Sequence, residues 1–273
     1  MNVKKVFQDI PRYEKQNDNV SFAQHEGRVL IKDPVTKVVL FEGWNKVILP
    51  GSFFTMRKHF PDIKVPVKLP TYNEVLDLDN TIALTEREKA DEQVFLFAMG
   101  TDGCGPEGSQ VYDVDYTKWI DKDHLVPFRY CISDNDLSDE QRQLYFGRKA
   151  LPELDRVAYF FKGFDSAPIA KCIYMDGTPV DENVYTSENK MKVRTYVELT
   201  MSVNKYDFRD YYEATTGINN CEVNTISLLT AYPKTIDGYT VYQDIQPLTK
   251  YNFSNESLRD LTKGIDITYQ IYY

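Results

Sequence analysis

The chain has no CxxC pair; its four cysteines stand alone at Cys104, Cys131, Cys172 and Cys221. Such wide, irregular spacing does not build a disulfide framework and reads as reduced thiols in a cytosolic setting. Histidine is scarcer still. His25, His59 and His124 are the only three, too scattered to supply a structural zinc with its four close ligands. No apolar run approaches the roughly 18 residues that a bilayer span needs. The opening MNVKKVFQDIPRYEK has lysines but no apolar stretch for a signal peptide. There is also no block of Lys and Arg. With 32 basic and 41 acidic residues the formal charge is −9, so nothing neutralises a row of phosphates and neither nucleic acid nor membrane is an expected partner. Such acidity suits a protein partner or solubility. The chain has no GKS or GKT, no Gly-x-Ser-x-Gly elbow, no HExxH and no kinase signature.

Aromatic residues are plentiful, with 20 Tyr and 15 Phe. Tyr has high β propensity and an amphipathic ring, which favours sheets and broad contact surfaces. The clearest pattern runs from Met191 to Val203. Met191, Val193, Thr195, Val197, Leu199, Met201 and Val203 alternate with Lys192, Arg194, Tyr196, Glu198, Thr200 and Ser202. Successive strand side chains point to opposite faces, so this is one long strand buried on one side, roughly 40 Å at 3.3 Å per residue. The end of the chain repeats the device, with Ile265, Ile267, Tyr269, Ile271 and Tyr273 against Asp266, Thr268, Gln270 and Tyr272.

Between these landmarks, Arg28–Lys32 and Val38–Phe41 form a hairpin through an Asp33-Pro34 turn. Asn45–Leu49 runs to a Pro50-Gly51 break, and residues 53–60 suit a short helix. Pro61, Pro66 and Pro70 exclude a long regular element there, and Thr85–Glu88 starts a polar turn. Val94–Met99 reads as a strand buried on both faces, Val157–Lys162 as another. Ser138 and Gln141 make a capping box for a helix over about 139–147 that Gly147 closes. Asp176-Gly177 is a turn, Asp207–Thr216 a helix stopped by Gly217. Thr225–Tyr232 and Tyr239–Ile245 are strands, and Glu256–Lys263 a helix ended by Gly264. The expected fold is a single β-rich α+β domain over 1–273, an antiparallel β-sandwich with short helices in its connections and a long contact excursion at 100–137.

Three local motifs invite chemistry and have plainer readings. Gly103-Cys104-Gly105-Pro106-Glu107-Gly108 matches GxGxxG, but Pro106 and the extended pattern of 109–116 deny it the helix N-terminus that binds a pyrophosphate. A tight turn is the better account. Cys104 has no local base, so a structural thiol is expected. Asp134-Asn135-Asp136 with Asp139-Glu140 is the best cation candidate, yet the glycine and glutamate of an EF-hand are absent, which favours an Asx turn and a helix cap. No cofactor, metal or catalytic residue is assigned. The sequons Asn252-Phe253-Ser254 and Asn255-Glu256-Ser257 read as chance matches. Tyr196 and Tyr272 are the aromatics on polar strand faces. With Arg194 and Glu198 they are the candidate interface residues.

Gly217-Ile-Asn219, Ser227-Leu-Leu-Thr-Ala231, Tyr242-Gln-Asp-Ile245, the closing segment from Asn255 to Tyr273 and the Arg28–Leu49 hairpin together resemble virion structural proteins of large tailed bacteriophages. The resemblance covers about half the chain by texture. It implies a non-enzymatic oligomeric subunit of a ring, collar, neck, tail or baseplate, assembled in the host cytoplasm against copies of itself and neighbouring virion proteins. The rival from the residues alone is a carbohydrate- or receptor-binding β-module; a β-sandwich hydrolase with paired carboxylates comes third.

Overall fold

The computed structural model describes residues 27–59, 70–79, 81–84, 91–105, 110–115, 120–122, 124–174, 177–179, 193–204, 206–217, 221–236, 238–257 and 264–272. The elements are β1 (Gly27–Lys32), β2 (Val39–Val47), α1 (Leu49–His59), α2 (Tyr72–Leu76), β3 (Gln93–Gly100), β4 (Arg129–Cys131), α3 (Asp139–Arg142), β5 (Tyr145–Leu151), β6 (Arg156–Gly163), β7 (Ile169–Tyr174), β8 (Val193–Val203), α4 (Arg209–Ala214), β9 (Glu222–Ile236), β10 (Tyr239–Ser257) and β11 (Ile265–Tyr272). The β-rich α+β class read from the sequence is the one found.

All eleven strands join one antiparallel sheet in the order β4-β6-β3-β9-β10-β2-β1-β11-β8-β7, with β5 along the remaining side of β6. Strand β2 links the two wings: residues 39–45 pair with β1, while Lys46 and Val47 pair with β10. The sheet curls, so inward residues of the two wings meet. Val29, Ile31, Leu199, Met201, Ile267 and Tyr269 share one apolar core with Phe97, Met99, Phe128, Ile226 and Leu228. The two layers of the expected sandwich are therefore wings of a single sheet. Across the gap, Asp165 N donates to Thr200 O at 3.0 Å and Lys162 Nζ to Ser202 O at 2.7 Å.

Several boundaries differ from the sequence reading. Strands β9 and β10 run 15 and 19 residues, far beyond Thr225–Tyr232 and Tyr239–Ile245. Register shifts between Gln243 and Gln246, Pro247 and Thr249, and Asn252 and Glu256 break the alternation that would have revealed their length. Glu256 and Ser257 pair with Val223 and Glu222 in β10 rather than opening a helix; residues 258–263 lie outside the described set. Pro50 lies in the first turn of α1, where its missing N–H costs nothing, instead of breaking the chain. Helix α3 ends at Arg142, and Gly147, at φ +67°, lies within β5.

The described parts of 100–137, expected as a long contact excursion, pack into the fold. They contain β4 and put Ile120, Leu125, Val126 and Phe128 in the core. The Asp33-Pro34 hairpin, the Ser138–Gln141 box and the stop at Gly217 (φ +86°) stand as read. Pro61, Pro66, Thr85–Glu88, Pro106–Gly108, Asp176, Met191, Lys192 and Tyr273 fall outside the described residues.

Candidate functional site

The two-residue period of β8 and β11 sorts their side chains. Leu199, Met201, Val203, Ile265, Ile267, Tyr269 and Ile271 go to the core. Tyr196, Glu198, Gln270 and Tyr272 go to the outer face of the wing formed by β7, β8, β11, β1 and β2. Register then decides who meets whom. Tyr196 stands opposite Tyr272 and Glu198 opposite Gln270. On the flanks, Lys171 stands opposite Tyr196, and Arg28 is opposite both Gln270 and Trp44.

Two rows result. The first is aromatic: Tyr196 and Tyr272 have ring centroids 5.1 Å apart, and Tyr272 and Trp44 5.6 Å. These spacings lie within the favourable range for aromatic pairs. Tyr196 is only 8% exposed, whereas Tyr272 and Trp44 are half-buried. The second row is polar. Lys171 Nζ donates to Glu198 Oε1 at 2.6 Å, Gln270 Nε2 to Glu198 Oε2 at 3.2 Å, and Tyr272 OH to Gln270 Oε1 at 3.0 Å. Beside it, Arg28 Nε donates to Glu42 Oε1 at 3.0 Å.

Electrostatics agree with this geometry. Partial burial pushes the Glu198 carboxyl up, but hydrogen bonds from Lys171 and Gln270 outweigh it and hold the group below its ordinary value. The hydrogen bond to Glu198 raises Lys171, and burial raises the Tyr196 phenol. Each side chain is thus fixed by a neighbour. A face already ordered loses less side-chain freedom when a partner covers it.

Of the four expected interface residues, Tyr196, Glu198 and Tyr272 come together. Arg194 stands opposite Ile173 on β7, on the same strand face by period; its side chain lies outside the described set. Sequence reasoning missed Trp44, Lys171, Arg28 and the role of Gln270. Gln270 already stood on a polar face in the alternation, but only strand register puts it against Glu198.

The other motifs resolve into structure. Gly105 N donates to Gln110 O and Tyr112 N to Gly103 O, both at 2.9 Å, so Gly103–Gly105 pair antiparallel with Gln110–Tyr112 around a Cys104–Val111 bridge. Cys104 is buried and accepts from Asn224 Nδ2 at 3.1 Å. Burial pushes the buried free thiols Cys131 and Cys221 up to about 11 and about 12. The Asp134 carboxylate accepts from Arg148 Nε at 2.9 Å and from the Tyr159 hydroxyl. Asp136 Oδ2 accepts from the Ile132 and Ser133 amides at 2.9 and 3.1 Å. Among the described residues no three His, Cys, Asp or Glu side chains are grouped to hold a metal ion. No helix among them is long and apolar enough to cross a membrane. Compared with known proteins, the chain matches no family model, no curated protein and no solved structure.

Proposed function

We propose that this chain is a non-enzymatic structural subunit of a tailed-phage virion, part of a ring, collar, neck, tail or baseplate, acting by protein–protein assembly. The observation that supports the reading is the pre-ordered aromatic and polar face carried by β8, β11 and β2. Tyr and Trp are enriched where proteins meet, and here they are held against one another, with Tyr272 also hydrogen-bonded to Gln270. The β1–β2 hairpin borders the same wing. At its tip Val35 and Val38 are 72% and 59% exposed, and Val39 and Leu40 are exposed as well. Four aliphatic side chains bared within six residues make a patch of the kind that partners cover. In this reading the partners are copies of the chain and neighbouring virion proteins, in closed cyclic contacts.

Solution mass measurement with negative-stain imaging of the full chain tests the proposal. The expected result is a defined multimer, alone or with its neighbouring virion proteins, that Tyr272→Ala and Val38→Asp each weaken. A chain that stays monomeric in both settings overturns it.

A further inference from the structure

A second feature lies away from that face, between β5, the β9–β10 hairpin and the segment after α2. It is a cleft of about 470 Å³, within the usual 300–1,000 Å³ of small-molecule sites. One wall is aromatic. Tyr239 is 48% exposed, and Tyr242 beside it is braced edge-on against Phe146 at 4.7 Å and tilted against Phe95 at 5.1 Å. The other wall is polar. Arg148 is held between Asp134, at 2.8 Å, and Asp79. Arg142 Nη2 donates to Asp134 O at 2.9 Å and to Asn135 Oδ1 at 3.3 Å.

The frame behind these walls is fixed. Asn73 Nδ2 donates to Tyr242 O at 3.2 Å, and Asn73 Oδ1 accepts from Ile245 N at 2.8 Å. Asp79 N donates to Arg148 O at 2.9 Å and its carboxylate accepts from Ala150 N at 2.8 Å. One group is left over. Among the described residues the Nε–H of Arg142 is buried without a hydrogen-bond acceptor, an unfavourable state for a buried donor.

Two guanidinium groups and two carboxylates make the polar wall formally neutral. An anion placed there meets Asp79 and Asp134, a cation meets Arg142 and Arg148, and those charges already neutralise one another. A wholly apolar molecule leaves the ionic wall desolvated without partners. The chemistry that satisfies both walls is an uncharged ring with hydroxyls on its rim and C–H groups on its face. Each hydroxyl can accept from a guanidinium and donate to a carboxylate, while the face lies on a tyrosine ring. We propose that this cleft is a saccharide-binding site for one or two sugar units, with Tyr239 as its platform and Arg142 and Arg148 on its polar wall. The site is independent of the assembly reading, and either can fail alone.

The test titrates the full chain with D-glucose, D-galactose, D-mannose and N-acetylglucosamine, following the arginine Nε–Hε resonances and binding heats. At least one sugar is expected to bind saturably with a Kd on the order of 1 mM and to move a resonance that Arg142→Met deletes. Tyr239→Ala and Arg142→Met should each weaken binding about tenfold, while Tyr239→Phe, which keeps the ring, retains it. Thermal melts of the three variants verify their folding. The proposal is overturned if none of the four sugars binds saturably. It is equally overturned if binding survives Tyr239→Ala and Arg142→Met unchanged, or if glucose 6-phosphate or glucosamine binds about tenfold tighter than glucose.

Discussion

Lys162 Nζ and Asp207 Oδ2 lie 2.8 Å apart with side chains only 2% and 0% exposed. Around them Tyr145 OH donates to Asp207 Oδ1 at 2.6 Å and Asn204 N to Oδ2 at 2.8 Å. Lys162 belongs to β6 and Asp207 to the turn between β8 and α4, so the pair staples one wing of the curled sheet to the other. Removing the lysine leaves a buried carboxylate with no countercharge. Lys162→Met is expected to cost about 3–5 kcal/mol in urea unfolding. Lys162→Met/Asp207→Asn should recover part of that loss, because the amide is neutral and still accepts one of the two hydrogen bonds. A single-variant loss below about 1 kcal/mol would remove the staple from the account of the fold.

Gly147 and Gly238 separate two costs of replacing a glycine. Both have positive φ, +67° and +84°. At Gly238 a Cβ would meet nothing within 4 Å, whereas at Gly147 it would lie 2.3 Å from Phe161 Cδ2. Gly238→Ala should therefore cost only backbone strain, about 1 kcal/mol. Gly147→Ala adds displacement of a fully buried ring and should lose about 1–3 kcal/mol more. Thermal melts that rank the two equally would mean that the Phe161 ring yields freely.

How much of this was legible in the sequence depends on the kind of information each feature needs. The closing strand, the Asp33-Pro34 hairpin and the Ser138 cap are local patterns, and the chain displays them openly. The length of β10 was hidden because its bulges at Gln243–Gln246 and Pro247–Thr249 reset the alternation. Strand β7 went unread because it is a short edge with exposed Ile169 and Lys171, so it lacks an apolar face to betray it. The outer polar face was legible as a set of residues. Its rows were not: Trp44 is more than 200 positions from Tyr272 in the chain, and only strand order brings the two rings together. The cleft escaped for the same reason, since its walls come from four separate stretches.

The Asp134–Arg148 contact gives a pH-dependent difference. Hydrogen bonds from Arg148 outweigh partial burial and hold the Asp134 carboxyl below its ordinary value. A carboxyl lowered on folding contributes stability above its unfolded pKa, near 4, and that contribution disappears as pH falls through the lower folded value. The native chain should therefore exceed Arg148→Met in stability at pH 7 by more than it does at about pH 2–3. Melting both proteins across this range checks the sign. A gap that widens with acid would contradict the assignment.

Tyr196 and Tyr272 divide their work by exposure. Their rings meet tilted at 5.1 Å, but Tyr196 is buried while Tyr272 also meets Trp44 and is half-buried. Truncating either removes the same ring contact, so a double-mutant cycle in urea should return a coupling of about 0.5–1.5 kcal/mol. The single variants should then part ways. Tyr196→Ala hollows out a shielded site and should lower monomer stability by more than Tyr272→Ala does. Assembly should respond in the opposite order, once each variant is compared at a temperature where it is fully folded. Tyr272→Ala strips the more exposed part of the row, the part the proposed assembly would cover, and Tyr196→Ala removes a buried neighbour of it. If Tyr272→Ala left the multimer intact while costing stability alone, the aromatic row would be a fold element and the contact would have to lie elsewhere, with the bared Val35–Leu40 hairpin the next surface to vary.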